Sequence, residues 1–375
     1  MIVTTLRGTP RPNSWPAALG GILPDGAVAA ARATISSWDG YRPTPLLALP
    51  QLARRLGVAA VQLKHEGARF EVGSFKALGP SYALERALAR AEPDRGRRAD
   101  WTAIAATSGN HGRAVAWAAR RSGIRARIYM PAHASPGREA AIRALGADVE
   151  RVAGSFDDAL AAALAAAALP RTIVVADVPR PGAAAIAQDT LAGYAVLGDE
   201  IADDPAGAHA SHLFVAAGNG SLAAATAGRI LQRLGRERPL VVSVEPTGSD
   251  VVRRSLAAGA AQALADPGHS LMDGLVVGAP APLAWPILAV VLDAALAIDD
   301  DVALTTLRAL AAGRDGDEPV EIGETGIAAI AGLAAAGADE ATRAALGIDM
   351  SSRLLAIVCE GVTDRAVFDR LLAAD

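Results

Sequence analysis

Short aliphatic runs alternate with longer Ala- and Leu-rich stretches along most of this chain, and that alternation constrains its fold more than any other feature. Candidate strands are VQLK (61–64), WTAIAA (101–106), ARIYM (126–130), DVERV (148–152), TIVVA (172–176), HLFVA (212–216), LVVSV (240–244) and LLAIV (354–358). Helical stretches separate most of them, for example 136–145, 156–168, 221–234 and 324–336. Mostly apolar strands belong to a sheet covered on both faces, and intervening helices return the chain so that successive strands run parallel. The fold class is therefore α/β. The first forty or so residues, with TPRPNSWP and YRPTPLLALP, are rich in proline and read as an irregular lead-in. The stretch DDALAAALAAAALP (157–170) is low in complexity, yet Leu160, Leu164 and Leu169 suit a packed helix stopped by Pro170.

The chain has 375 residues, enough for two domains with buried cores. Its hydrophobic share of 51% is mostly alanine, and no run approaches a membrane span, so no membrane contact is expected. A net charge of −4 with scattered arginines leaves no basic footprint for nucleic acid. The single cysteine, Cys359, excludes an internal disulfide framework and a cysteine-cluster metal site, and no metal is expected. No basic segment followed by an apolar one opens the chain, so a cytoplasmic setting is expected rather than secretion.

Three strand–helix junctions carry residues suited to chemistry. In EVGSFKALGPSYAL (71–84), Lys76 stands almost alone as a charge, with Ser74 placed to cap a helix starting near Phe75. The positive end of a helix and partial desolvation both favour the neutral amine, a nucleophile for a carbonyl. A lysine whose head reaches water over an apolar stem is the plainer alternative. In ATSGNHGRAVAWAA (106–119), the Ser108 hydroxyl, the Asn110 amide and the backbone N–H groups around Gly109 and Gly112 could hold a carboxylate or a phenolate oxygen. His111 reads more simply as a residue that satisfies a local backbone group. In HLFVAAGNGSLAAATAG (212–228), Gly218, Asn219, Gly220 and Ser221 open a helix in the manner of an anion nest sized for one phosphate. The same segment, with Glu245 near a ribose-acid position, leaves a nicotinamide-binding alternative open. An amine, a carboxylate cradle and a single-phosphate cup, taken in this order, suit an aldehyde cofactor carrying one phosphate, and pyridoxal 5′-phosphate is such a group.

On these residues the chain resembles the fold type II pyridoxal-phosphate enzymes, the group of threonine dehydratase, serine racemase and the tryptophan synthase β subunit. The carrying segments are KHEGARFEVGSFKALG (64–79), TSGNHGRAVAWAA (107–119), QDTLAGY (188–194), AAGNGSLAA (216–224), VSVEP (242–246), LMDGLVVGAP (271–280), GETGIAAI (323–330) and CEGVTD (359–364). The first and third of them are most similar to the diaminopropionate ammonia-lyases. The resemblance implies two domains, each with a mostly parallel sheet covered by helices: a large cofactor-binding domain from 1–82 and 190–375, and a small mobile domain over 83–189.

The resemblance also implies roles. Lys76 would hold the cofactor through a Schiff base and later move the substrate proton, with Phe75 packed beside it. Asn110 would bond the ring 3′-oxygen, Gly218, Asn219, Gly220 and Ser221 would bind phosphate, and Gly274 would let the backbone approach the cofactor edge. Ser108, Gly109, His111 and Gly112 would receive the substrate carboxylate, and Asp189 would face the substrate or else cap a helix. Cys359 stands where the family usually places a serine or threonine against the pyridine nitrogen, with Glu360 as the alternative partner. The ammonia-lyase pattern has aspartate where this chain has Ser108, whereas threonine dehydratases and serine racemase have serine.

The implied reaction is β-elimination of ammonia-lyase type on a small β-substituted amino acid such as 2,3-diaminopropionate, giving a 2-oxo acid and ammonia. A serine or threonine dehydratase and a β-replacement synthase are the alternatives, and such enzymes are commonly homodimers.

Overall fold

The computed structural model describes residues 2–176 and 182–373. In chain order its strands are β1 (Ile2–Leu6), β2 (Leu46–Ala48), β3 (Ala60–His65), β4 (Thr102–Ala106), β5 (Arg125–Pro131), β6 (Asp148–Val152), β7 (Thr172–Val174), β8 (His212–Ala216), β9 (Leu240–Pro246), β10 (Ala294–Ile298) and β11 (Arg353–Val358). They form a seven-stranded sheet ordered β1-β10-β9-β8-β11-β3-β2 and a four-stranded sheet ordered β6-β5-β4-β7. The smaller sheet is parallel throughout. In the larger one the five inner strands are parallel, and only the edges β1 and β2 run antiparallel. All four strands of the smaller sheet lie between β3 and β8 in sequence, so it is an insertion into the larger. The α/β class holds, as does the division into two mostly parallel sheets.

Three strands escaped the reading by pattern. β10, Ala-Ala-Leu-Ala-Ile, has the composition of a helix, but it is wholly buried and paired on both sides by β1 and β9. Tertiary pairing overrides alanine's helical preference there. The proline-rich lead-in is not irregular throughout: it holds β1, β2 and the helix Asp25–Ser36, which buries Val28, Ala31 and Ile35 on one face.

Close helix packing positions the lysine segment. The 20-residue helix Ala184–Asp203 crosses the helix Gly79–Ala91 at two glycines. A Cβ on Gly193 would lie 2.8 Å from Gly79 Cα, and one on Gly79 would lie 2.5 Å from the Tyr194 ring. No larger residue fits at either place, so Tyr194 is pressed against the start of the lysine helix.

Beneath the same region lies a buried charge cluster. Lys64 Nζ donates to Glu200 at 2.6 Å, and Arg69 forks onto Glu200 (2.8 and 2.8 Å) and onto Glu66 (2.9 and 2.8 Å). Two cations face two anions, which is the condition under which buried charge is tolerated.

Candidate active site

Lys76 sits in a short 3₁₀ turn, Phe75–Ala77, and the α-helix proper starts only at Gly79. The expected cap does not form. Ser74 is extended (φ −160°, ψ 159°), bridged to Glu360, and its hydroxyl caps nothing. What fixes the segment is the end of β11: Phe75 N donates to the Cys359 carbonyl at 3.0 Å, and Gly361 N donates to the Gly73 carbonyl at 3.0 Å. Lys76 Nζ stands 5.2 Å from the Phe75 ring centroid and 5.9 Å from that of Tyr194. Aromatic faces at that range attract the cationic form of the amine.

The loop after β4 approaches from the smaller sheet. Gly109 N donates to Thr107 Oγ1 at 2.9 Å, and a Cβ on Gly112 would come 2.4 Å from Thr107 Cγ2, so the helix Asn110–Arg121 starts directly on its strand. Asn110 Nδ2 donates to Glu360 Oε2 across the gap between the sheets. His111 turns elsewhere: its Nε2 is hydrogen-bonded at 2.7 Å to the carbonyl of Val175, just past β7 and far from its own turn in sequence.

The glycine turn after β8 completes the third side. Gly220 has φ +81°, which favours glycine, and a Cβ there would also push Leu288 Cδ1 aside from 2.4 Å. Asn219 Oδ1 accepts the Ser221 N–H at 3.1 Å, and Gly220 N-caps the 14-residue helix Ser221–Leu234. A Cβ on Gly218 would lie 3.1 Å from Leu275 Cα and 3.3 Å from the Gly274 carbonyl. Gly274 N donates to Thr325 Oγ1 (3.2 Å), and Thr325 N donates to Glu360 Oε1 (2.9 Å). Gly218, Gly274, Thr325, Glu360, Asn110, Cys359 and Lys76 thus form one contiguous set of contacts.

Burial, and then the nearby Glu324 carboxylate, pushes the Glu360 carboxyl up to about 7. Burial also pushes the Cys359 thiol well up, with Glu360 adding to it, so the group remains a thiol. Arg138 closes the site from above. Its guanidinium bonds Glu324 (2.6 Å), Asp273 (2.8 Å) and the Ser108 carbonyl (3.4 Å), and these carboxylates outweigh burial in raising its pKa.

Arg138, Glu324 and Thr325 were not singled out individually in the sequence. Thr325 and Glu324 stand in the GETG segment, which carried a signal, whereas Arg138 looked like one more surface arginine. Two other residues lie elsewhere. Asp189 pairs with Arg90 at 2.7 Å and Arg86 at 3.9 Å, about three and two turns along the helix that starts beyond Lys76. Glu245, on which a nicotinamide reading depends, is fully buried and accepts the Val252 and Arg253 N–H groups at 2.7 Å each, capping a helix instead.

The residues present fit an aldehyde cofactor with one phosphate. They offer an amine beside a pair of packed rings, a glycine turn opening onto helix N–H groups, and a buried Ser74 hydroxyl without a partner among the described residues. Comparison with known proteins agrees. The sequence profile of the family described as pyridoxal-phosphate dependent enzyme matches residues 37–360. Diaminopropionate ammonia-lyase of Escherichia coli (strain K12) is 31% identical over 341 residues, 87% of this chain and 86% of that protein. L-threonine dehydratase of Pasteurella multocida is 31% identical over 61% of this chain and 41% of its own. A crystal structure of the Escherichia coli ammonia-lyase, in complex with an aminoacrylate-PLP azomethine reaction intermediate, superposes with a TM-score of 0.87 at 29% identity, covering 100% of this chain and 97% of that one.

Proposed function

This chain belongs to the pyridoxal-phosphate dependent enzyme family, and we propose that it is a lyase of ammonia-lyase type. The substrate is a small β-substituted amino acid such as 2,3-diaminopropionate, and the products are a 2-oxo acid and ammonia. The observation that carries the reading is the contiguity of three separate loops around one lysine, in a chain similar over most of its length to diaminopropionate ammonia-lyase. When bound, pyridoxal phosphate draws electrons away from the substrate α-carbon and makes its proton removable.

The chain's own residues do the rest. Lys76 Nζ holds the cofactor and then takes the α-proton. Phe75 and Tyr194 wall the amine off. The N–H groups at Gly218–Ser221 take the phosphate at a helix start, where charge and geometry favour an anion. Asn110 would orient the ring, Gly274 would leave room for its edge, and the Cys359 thiol would be the partner for its nitrogen. Ser108, Gly109 and Gly112 receive the substrate carboxylate. Asp189, held by Arg90 and Arg86, takes no part in these steps.

One residue favours a second reading. Ser108 supplies a hydroxyl where the ammonia-lyase pattern has a carboxylate, which weakens the pull on a second substrate ammonium and suits elimination of water from serine or threonine. The order of turnover on 2,3-diaminopropionate, serine and threonine separates the two readings. A protein capped by the smaller, mobile sheet and paired as a homodimer in the cytoplasm is the setting we infer. Among the described residues no helix is long and apolar enough to cross a membrane.

The decisive test is Lys76→Ala in the reconstituted protein. We expect it to abolish the visible absorbance of the bound cofactor and to lower kcat by several orders of magnitude, on the order of a lost nucleophile and base together. Retained colour and turnover would overturn the assignment.

A further inference from the structure

One group ties the whole site together and has no role in the reaction as described above: the Glu360 side chain. Its carboxyl is buried, and both oxygens accept from neutral donors, Oε1 from the Thr325 N–H and Oε2 from the Asn110 amide. Thr325 passes the connection on through its hydroxyl to Gly274 N. Two glycines make room for this residue. A Cβ on Gly323 would come 2.8 Å from Glu360 Oε1, and one on Gly326 would come 3.2 Å from Glu360 Cγ and 2.4 Å from its backbone carbonyl.

We propose that Glu360 is a positioning residue of this site: its carboxylate sets the Asn110 amide from the smaller sheet and, through Thr325, the Gly274 backbone of the larger, so that one side chain holds two loops in register around Lys76. The inference rests on the cofactor reading of the site. An ionised carboxylate accepts at both oxygens, whereas a protonated one turns one oxygen into a donor and faces the Asn110 or Thr325 N–H with the wrong polarity. The charged groups facing it decide when that happens. Glu324, from the GETG loop, opposes ionisation. Arg138, from the helix Pro136–Ala144, favours it, and the pull of Glu360 is in turn felt by Arg113, in the first turn of the helix Asn110–Arg121.

The test is a pH titration of the visible absorbance of the pyridoxal-phosphate-loaded protein, with cofactor affinity measured alongside. Wild type is expected to show a transition centred near pH 7. Glu360→Gln should remove that transition and weaken cofactor binding by about tenfold, the scale of a hydrogen bond to a charged group. Two further variants do not depend on that one folding. Glu324→Gln removes a like charge and should move the midpoint down; Arg138→Gln removes a cation and should move it up, each by roughly half a unit or more. A strut that merely fills space would move neither. An identical midpoint in wild type, Glu324→Gln and Arg138→Gln, or a wild-type transition in Glu360→Gln, overturns the proposal alone. A protein that takes up no cofactor overturns the cofactor reading and this inference with it.

Discussion

Glu200 and Glu360 are both buried carboxylates, and their surroundings drive them in opposite directions. Burial pushes each one up. Around Glu200, Arg69 and Lys64 supply full positive charges at hydrogen-bond distance, and they hold it below the usual carboxylate range. Around Glu360 the donors are an amide and a backbone N–H, the nearest like charge is Glu324, and the group rises to about 7. The first arrangement is a strut, in which charge is cancelled and the proton is unimportant. The second leaves a carboxyl raised to about 7 and bridged through its backbone to Ser74 in the lysine segment. What separates a structural ion pair from a group that can respond to its site is the charge of its partners, since both are equally hidden from water.

The most severe way to break this contrast is Glu200→Gln. It leaves Lys64 and Arg69 facing Glu66 alone, an uncompensated buried cation, and should cost about 3–5 kcal/mol in stability. The urea midpoint would report it, together with a drop in soluble yield. A loss under about 1 kcal/mol would mean that water reaches the cluster and that the two carboxylates are less different than their partners suggest.

A milder test uses pH. The folded-state value of Glu360 lies above its ordinary one, so folding binds its proton more tightly. That contribution is fully present below pH 4.5 and is lost as pH rises through about 7. Glu200 has the reverse sign: its contribution is present above the ordinary carboxylate range and disappears as pH falls through its lowered value. Melting curves of the cofactor-free protein should therefore show wild type losing stability relative to Glu360→Gln between pH 5 and 7.5. The difference should be at most a few kcal/mol. Parallel curves would remove Glu360 from the set of groups that titrate.

The contrast also marks how much the sequence disclosed. Local features were legible: the Gly218–Ser221 turn, the Ser108–Gly112 loop and Lys76 each follow from chain neighbours and stand where the strand–helix alternation put them. β6 and β8 are bounded by their own side chains and match the runs 148–152 and 212–216. β10 was not legible, because Ala-Ala-Leu-Ala-Ile becomes a strand only when β1 and β9 lie on either side of it. Arg138 was hidden for a related reason. Its partners Asp273 and Glu324 are over a hundred residues away, and nothing in PGREAAIRAL distinguishes it from the arginines that only meet solvent. Glu360 was visible as half of an alternative, but its bonds to Asn110 and Thr325 are a property of the closed arrangement of two sheets, which no local pattern encodes.

The smallest effect belongs to a third carboxylate, Asp189, which is neither a buried strut nor a member of the site's contact set. Its partners Arg90 and Arg86 keep 43% and 50% of their side chains exposed, so water screens both pairs. Arg90→Ala should cost less than about 1 kcal/mol of stability, the usual worth of such a pair. The same substitution tests the site, because it removes the closer of the carboxylate's two partners. If Asp189 stays beside Arg86, kcat/KM of Arg90→Ala should remain within about fivefold of wild type, the kinetic equivalent of under 1 kcal/mol. Asp189→Asn should then behave in the same way. A fall of a hundredfold in kcat for Asp189→Asn, with stability unchanged, would instead place this carboxylate at the reacting atoms. The helix would then have to turn or slide past Gly79, where Gly193 leaves no slack for a passive shift, and the closed packing at Tyr194 would be one of two working positions rather than a fixed wall.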